Sequence, residues 1–281
     1  MTSVLTDDEV TTFFQSVERS VGVHLDLSKK YLLAARLKSV CVASDFPSVD
    51  SLVRELNRSR TGELHDLAYA ALTTNETSFF RDPAFFEFLK SKVIPNLIRL
   101  NSNQKKIRIW SAAVSSGQEV YSLAMLMRLY FPELQRWEVE ILGSDVASPI
   151  LEKAKLGIFN ESEVNRGLSD IFLSKFFTKI DKSLFELSSS IRDMVKFQRF
   201  NLIKDPFPVN YYDIILLRNV LIYFSLDNKV SVLDKSSTAL ADTHGLLFLG
   251  GAESTNGHAK LKVNLDPQWT FYQKKKSEGV K

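Results

Sequence analysis

Cysteine is nearly missing from this 281-residue chain: Cys41 stands alone, which excludes an internal disulfide, and no C-x-x-C pair exists to hold a metal. Histidine is scarce as well. His24, His65, His244 and His258 are scattered without ligand spacing, and neither H-E-x-x-H nor a G-x-S-x-G nucleophile elbow occurs, so no metal site is expected. The small-residue loop SSGQEVYS lacks the G-K-[ST] triplet with which a nucleotide-triphosphate loop holds phosphates. No apolar run approaches the roughly 20 residues that span a bilayer. The opening MTSVLTDDEV is acidic and has no apolar signal core, so a cytoplasmic protein without direct membrane insertion is expected. A formal charge of +3 with 25% charged residues carries no nucleic-acid footprint.

What is present is 44% apolar content, enough for real cores. Residues 1–75 read as a small all-α domain. Thr6 and Glu9 form a capping-box pattern ahead of an apolar stripe at Val10, Phe13, Phe14, Val17 and Val21. Ser28 is placed to cap a second helix, VDSLVRELN reads as a third and GELHDLAYAAL as a fourth. Residues 76–106 form a linker and connecting helix, with Asp82 as cap and Pro83 in the first turn. From 107 to 275 the short apolar runs IRIW, EVEILGSD, YYDIILL and GLLFLGG alternate with helical patterns. That rhythm predicts an α/β fold, a Rossmann-like, mostly parallel sheet with helices on both faces. The rhythm breaks between about 176 and 200, where a small antiparallel β insertion is expected. Residues 276–281 read as a disordered tail.

In such a sheet ligands bind beyond the carboxyl ends of the strands. After IRIW comes a loop of small residues with Gly117, followed by Glu119; this suits either a nucleotide-type cofactor or a plain tight turn. EVEILGSD ends in Asp145, placed to accept ribose hydroxyls or to cap the following helix. YYDIILL delivers Arg218 and Asn219, which line the cleft unless Asn219 caps a helix and Arg218 lies at the surface. Asn201 has a weaker version of the same placement. Without a phosphate grip, and with a carboxylate near its charged end, the ligand expected is a cationic nucleoside of the S-adenosylmethionine kind.

Six segments together resemble the chemotaxis receptor methyltransferases of the CheR type: TTNETSFFRDPAFF, IRIWSAAVSSGQEVYSLAM, ILGSDVASPILEKAKLGIF, FNL, YYDIILLRNVLIYFS and LLFLGGAES. The resemblance implies an S-adenosylmethionine-dependent methyltransferase that esterifies receptor glutamates and releases S-adenosylhomocysteine. It implies that Asn75, Thr77 and Arg81 reach the cofactor from the linker, while Phe79, Phe80, Phe85 and Phe86 anchor that linker. It further implies that Glu119 takes the ammonium and Asp145 the ribose. Asn201, Leu202, Arg218 and Asn219 would then complete the pocket, with Tyr223 near the transferred methyl. A glutamate acceptor, which ordinarily titrates at about pH 4.3, is already ionised and needs no general base. Arg81 is expected to orient the acceptor or cofactor rather than act as an acid.

The family also implies docking of a basic helix on the cytoplasmic methylation helices of chemoreceptors. Lys29, Lys30, Arg36 and Lys38 supply that charge here, although a solvated helix face has the same composition. Four departures stand out. Gln118 replaces one of two paired acids, Ala147 replaces a second aspartate, Val120 replaces a proline, and the insertion has no glycine-rich loop. The last implies independence from a receptor's C-terminal pentapeptide. A monomer is expected. The alternatives are methylation of a different acceptor, or a cofactor-binding signalling scaffold without turnover.

Overall fold

Thr6 closes the capping box as its spacing predicts. Its hydroxyl accepts from Glu9 N at 3.2 Å, and Glu9 Oε2 accepts from Thr6 N at 2.8 Å, which fixes the start of α1 (Asp7–Val21). The computed structural model describes residues 4–59 and 61–275, and the expected tail lies outside the described residues. The second helix differs from expectation at its start. Ser28 is not the cap; the Asp26 carboxylate accepts from Ser28 N at 2.8 Å and opens a 3-10 turn, after which α2 (Tyr31–Ala43) begins. An aspartate two residues upstream simply outcompetes a serine hydroxyl that itself donates to it. Then follow α3 (Val49–Arg58), capped by Ser48, and α4 (Glu63–Leu72). Phe13, Leu37, Leu52 and Leu72 close a helical core of their own.

The connecting helix is α5 (Pro83–Phe88), a π turn over Leu89–Val93, and α6 (Ile94–Leu100). The π turn accommodates Pro95, which has no N–H to return to the preceding turn. Phe79 and Phe85 are fully buried and Phe86 nearly so, packing the linker onto the sheet domain.

The α/β domain runs β1 (Lys106–Ala112), α7 (Gln118–Tyr130), β2 (Glu138–Asp145), α8 (Ser148–Leu156) and β3 (Ile158–Asn160). It continues through α9 (Glu161–Asn165), α10 (Asp170–Phe176), β4 (Phe177–Lys179), β5 (Leu184–Leu187), α11 (Ser189–Arg192) and β6 (Val195–Arg199). It ends with β7 (Ile214–Leu217), α12 (Leu226–Ala239), β8 (Leu246–Leu249), β9 (Leu261–Asn264) and β10 (Phe271–Lys274). The main sheet has the order β6-β2-β1-β7-β8-β10-β9, its first five strands parallel. The antiparallel hairpin β9–β10 closes one edge, an element absent from the sequence expectation. Ile214 and Leu216 face one core while Ile215 and Leu217 face the other, so β7 is apolar throughout because both its faces are covered. No helix among the described residues is long and apolar enough to cross a membrane.

The small antiparallel sheet exists, but its extent is corrected. It has the order β3-β5-β4, so it begins at Ile158 and ends at Leu187. Residues 195–199, expected within it, pair parallel to β2 from Ile141↔Val195 to Asp145↔Arg199 as the edge strand of the main sheet. An edge strand is half exposed and alternates like a hairpin strand, so periodicity alone cannot assign its partner. The insertion meets the linker at Gly167, whose φ is +99°; a Cβ there would lie 1.9 Å from the Phe79 carbonyl oxygen. Only glycine permits that approach.

Candidate active site

At the carboxyl ends of β1, β2 and β7 a cavity begins that is partly open to solvent. Every residue singled out for the cofactor pocket lines it: Asn75, Thr77, Arg81, Glu119, Asp145, Asn201, Leu202, Arg218, Asn219 and Tyr223. The helical domain supplies a wall through Val21 and Val23. That wall is tied down. Val23 bridges Phe224 antiparallel, His24 N donates to the Tyr223 carbonyl at 2.8 Å, and Asn201 Nδ2 donates to the Ser20 carbonyl at 2.7 Å.

The loop after β1 turns sharply, with positive φ at Ala113, Ser115 and Gly117. A left-handed conformation costs a non-glycine residue about 1–2 kcal/mol, and Asn219 across the cavity is also left-handed at +60°. This strain aims backbone groups at one place. Ser115 N donates to Asp145 Oδ2 at 2.9 Å, and Ala147 N donates to Oδ1 at 3.0 Å. Burial pushes the Asp145 carboxyl above the usual carboxylate range, and the N–H groups of Ala147, Ser115 and Val146 pull it partly back. Ser115 Oγ donates to the Asn75 carbonyl at 2.8 Å, fastening the linker to this loop.

Arg218 is not a free cleft residue. Its side chain is 1% exposed; Nη1 donates to Glu119 Oε2 at 2.6 Å and Nη2 to Asp82 Oδ2 at 2.6 Å, with the guanidinium 4.0 Å above the Phe85 ring. Only its Nε is buried without an acceptor. Glu119 also accepts from Ser111 Oγ at 2.8 Å. Asp82, expected as a helix cap, makes no side-chain cap bond and has a φ of +62°. The carboxylate goes to the buried cation, which offers a full opposite charge where a backbone N–H offers only a dipole.

Asn219 is held by a residue that the sequence pattern did not single out. Glu253, just after Gly250 and Gly251, accepts from Asn219 N at 2.7 Å, Gly250 N at 2.7 Å and Ile222 N at 3.3 Å. An acid two positions past a strand-terminal glycine pair is the signal that points to it. Asn201 lines the cavity, but its side chain is spent on Ser20 and on the N–H groups of Ile203 and Lys204. Arg81 donates only to the Glu76 carbonyl, at 3.3 Å, and the Tyr223 hydroxyl has no partner among the described residues. Gln118 and Ala147 are buried outside the cavity, so those two departures remove no lining group.

The basic face is not one free surface. Lys30 pairs with Asp7 at 2.8 Å and donates to the Leu5 carbonyl. Arg36 donates to the carbonyls of Leu72 and Thr73 at 2.7 and 3.0 Å and to Thr74 Oγ1, closing the end of α4. Open carbonyls at a helix terminus attract a guanidinium more strongly than solvent does. Lys29 and Lys38 remain exposed, with no ion pair among the described residues.

The lining suits a cationic nucleoside. Among the described residues the lining carries three carboxylates, Glu76, Glu119 and Asp145, against two arginines, Arg81 and Arg218, with no lysine, and Arg218 is already paired. Residues 75–271 match the family described as CheR methyltransferase, SAM binding domain. The chain is 36% identical over 245 residues to the chemotaxis protein methyltransferase Cher2 of Pseudomonas putida, covering 86% of this chain and 88% of that one. It is 34% identical over 264 residues to the chemotaxis protein methyltransferase of Vibrio anguillarum, covering 92% and 93%. To that of Borreliella burgdorferi it is 31% identical over 263 residues, covering 92% of each.

Proposed function

The chain belongs to the CheR methyltransferase family, acting in chemotaxis with S-adenosylmethionine as cofactor, and from that premise we propose that its acceptors are glutamate side chains on the cytoplasmic methylation helices of chemoreceptors. The observation that carries this reading is the convergence, in one cavity, of linker residues Asn75, Thr77 and Arg81 with the strand-end residues Glu119, Asp145, Arg218 and Asn219. The bound cofactor supplies a methyl group activated by its sulfonium.

The residues around it have separable tasks. Glu119 would receive the cofactor's ammonium, and the Asp145 side chain would accept from the ribose hydroxyls. Arg81, with donors to spare, holds the acceptor carboxylate in line, where positioning can contribute roughly 7–11 kcal/mol. No histidine is among the described residues lining the cavity, in keeping with an acceptor that is already an anion. Tyr223 packs between the helical core and the sheet domain and would lie near the transferred methyl.

The β4–β5 connection is four residues, Ile180 to Ser183, without glycine, which supports action independent of a receptor's C-terminal pentapeptide. Docking falls to the exposed pair Lys29 and Lys38. Reversing both to glutamate is expected to weaken binding to receptor cytoplasmic fragments roughly three- to ten-fold, as exposed ion pairs of up to about 1 kcal/mol each allow. S-adenosylhomocysteine affinity should not change. Equal receptor binding by parent and variant, measured by surface plasmon resonance, would remove this face from the docking site.

The proposed acceptor is tested with tritium-labelled S-adenosylmethionine and receptor fragments. Label that base treatment releases as methanol, and that vanishes when the glutamates become glutamines, is the expected result. Base-stable label, or label indifferent to those substitutions, overturns a glutamate ester.

A further inference from the structure

One buried cation in the cavity wall is shared between two acids. Glu119 and Asp82 each bind Arg218 at 2.6 Å from opposite sides, Asp82 from the linker and Glu119 from the first turn of α7. Counting formal charges, two carboxylates and one guanidinium leave this cluster at −1. Without Asp82 the same cluster is neutral.

We infer that Asp82 is a positioning residue which, by engaging Arg218, leaves Glu119 able to attract a cationic amino group; this rests on the reading of Glu119 as the ammonium site. Two physical effects lead there. A guanidinium pulled toward one carboxylate alone forms a tight, self-sufficient pair, whereas one divided between two leaves each with residual negative potential. In addition, Asp82 follows Arg81 directly, and Arg218 Nη2 also reaches the Arg81 carbonyl at 3.3 Å. The same contact therefore anchors the backbone from which Arg81 extends. Asp82 is held left-handed at φ +62°, a conformation retained at a cost that its carboxylate bond offsets.

The expected signature is selectivity between two ligands of the full-length protein, measured by titration calorimetry. S-adenosylhomocysteine carries the amino-acid end; 5′-methylthioadenosine has the same adenosine thioether without it. Asp82→Asn is expected to weaken S-adenosylhomocysteine roughly ten-fold, as loss of a charge-assisted contact implies, and to leave methylthioadenosine unchanged. Asp82→Gly removes the carboxylate while accepting positive φ without strain, so it tests the same charge in a backbone that folds readily. Parallel weakening of both ligands marks a merely structural residue and overturns the inference, as does undiminished S-adenosylhomocysteine binding in either variant. A parent protein that binds neither ligand fails differently: it removes the cofactor reading of the cavity itself, and the inference with it.

Discussion

Arg218→Met is expected to lower the free energy of unfolding by about 3 kcal/mol, in the range found when one partner of a buried ion pair is deleted. Methionine matches the length of the arginine stem and still covers the Phe85 ring, so little of the loss comes from packing. The cost lies in what is left behind. Glu119, 16% exposed, keeps only its bond from Ser111, and Asp82, 38% exposed, loses its partner but retains access to water. That partial solvation of Asp82, together with relief of the unpartnered Nε, puts the cost at the low end of the range. If unpaired charge is the cause, adding Glu119→Gln to Arg218→Met should restore much of the lost stability. Urea unfolding followed by circular dichroism reads both effects. A single-variant loss under about 1 kcal/mol, ordinary for a surface substitution, would mean that Arg218 is not the keystone between linker and sheet.

The contrast between Arg218 and its neighbours shows which parts of the site a sequence can reveal. An arginine and an asparagine directly after four apolar residues announce themselves, because their burial demands partners. What those partners are is a tertiary fact. Asp82 is 136 positions from Arg218, and locally it reads as a cap before proline. Glu253 is 34 positions from Asn219, and nothing in R-N-V-L-I-Y-F announces it. The same limit applies to the basic segment. Charge and spacing identify Lys29, Lys30, Arg36 and Lys38, yet whether each cation faces solvent or a helix end depends on α4 and on residues 5–7. The alternation of strands and helices was legible because burial on both faces makes parallel strands continuously apolar, and β1, β2, β7 and β8 all lie in the expected sheet. The strands that escaped or were misassigned, β6, β9 and β10, are at the edges or next to them, where half-exposed patterns carry little information about the partner.

Asp145→Asn is expected to separate stability from cofactor affinity, in opposite directions. The carboxyl is raised above its ordinary range, chiefly because it is desolvated. A carboxyl with a raised folded-state pKa contributes stability below its unfolded pKa, and that contribution is lost as pH rises through the folded value. Above that folded-state value the ionised group is therefore a net burden on the fold. Asparagine removes the buried charge and gives up one of two acceptors for the Ser115 and Ala147 N–H groups, so Tm should be unchanged or higher. Binding responds the other way. Hydrogen bonds to a charged acceptor are worth about 1.5–3 kcal/mol, so S-adenosylhomocysteine should bind roughly 10- to 100-fold more weakly to the variant. The parent should also lose affinity as pH falls through the raised Asp145 pKa, because protonation turns an acceptor of ribose hydroxyls into a competing donor. The variant should be flat across that window. Calorimetric titrations from neutral pH down to about pH 4, the ordinary aspartate value, decide the matter. Equal affinity of parent and variant, or a parent whose affinity is level over the whole range, would show that Asp145 fastens only the loop after β1 and does not grip the nucleoside.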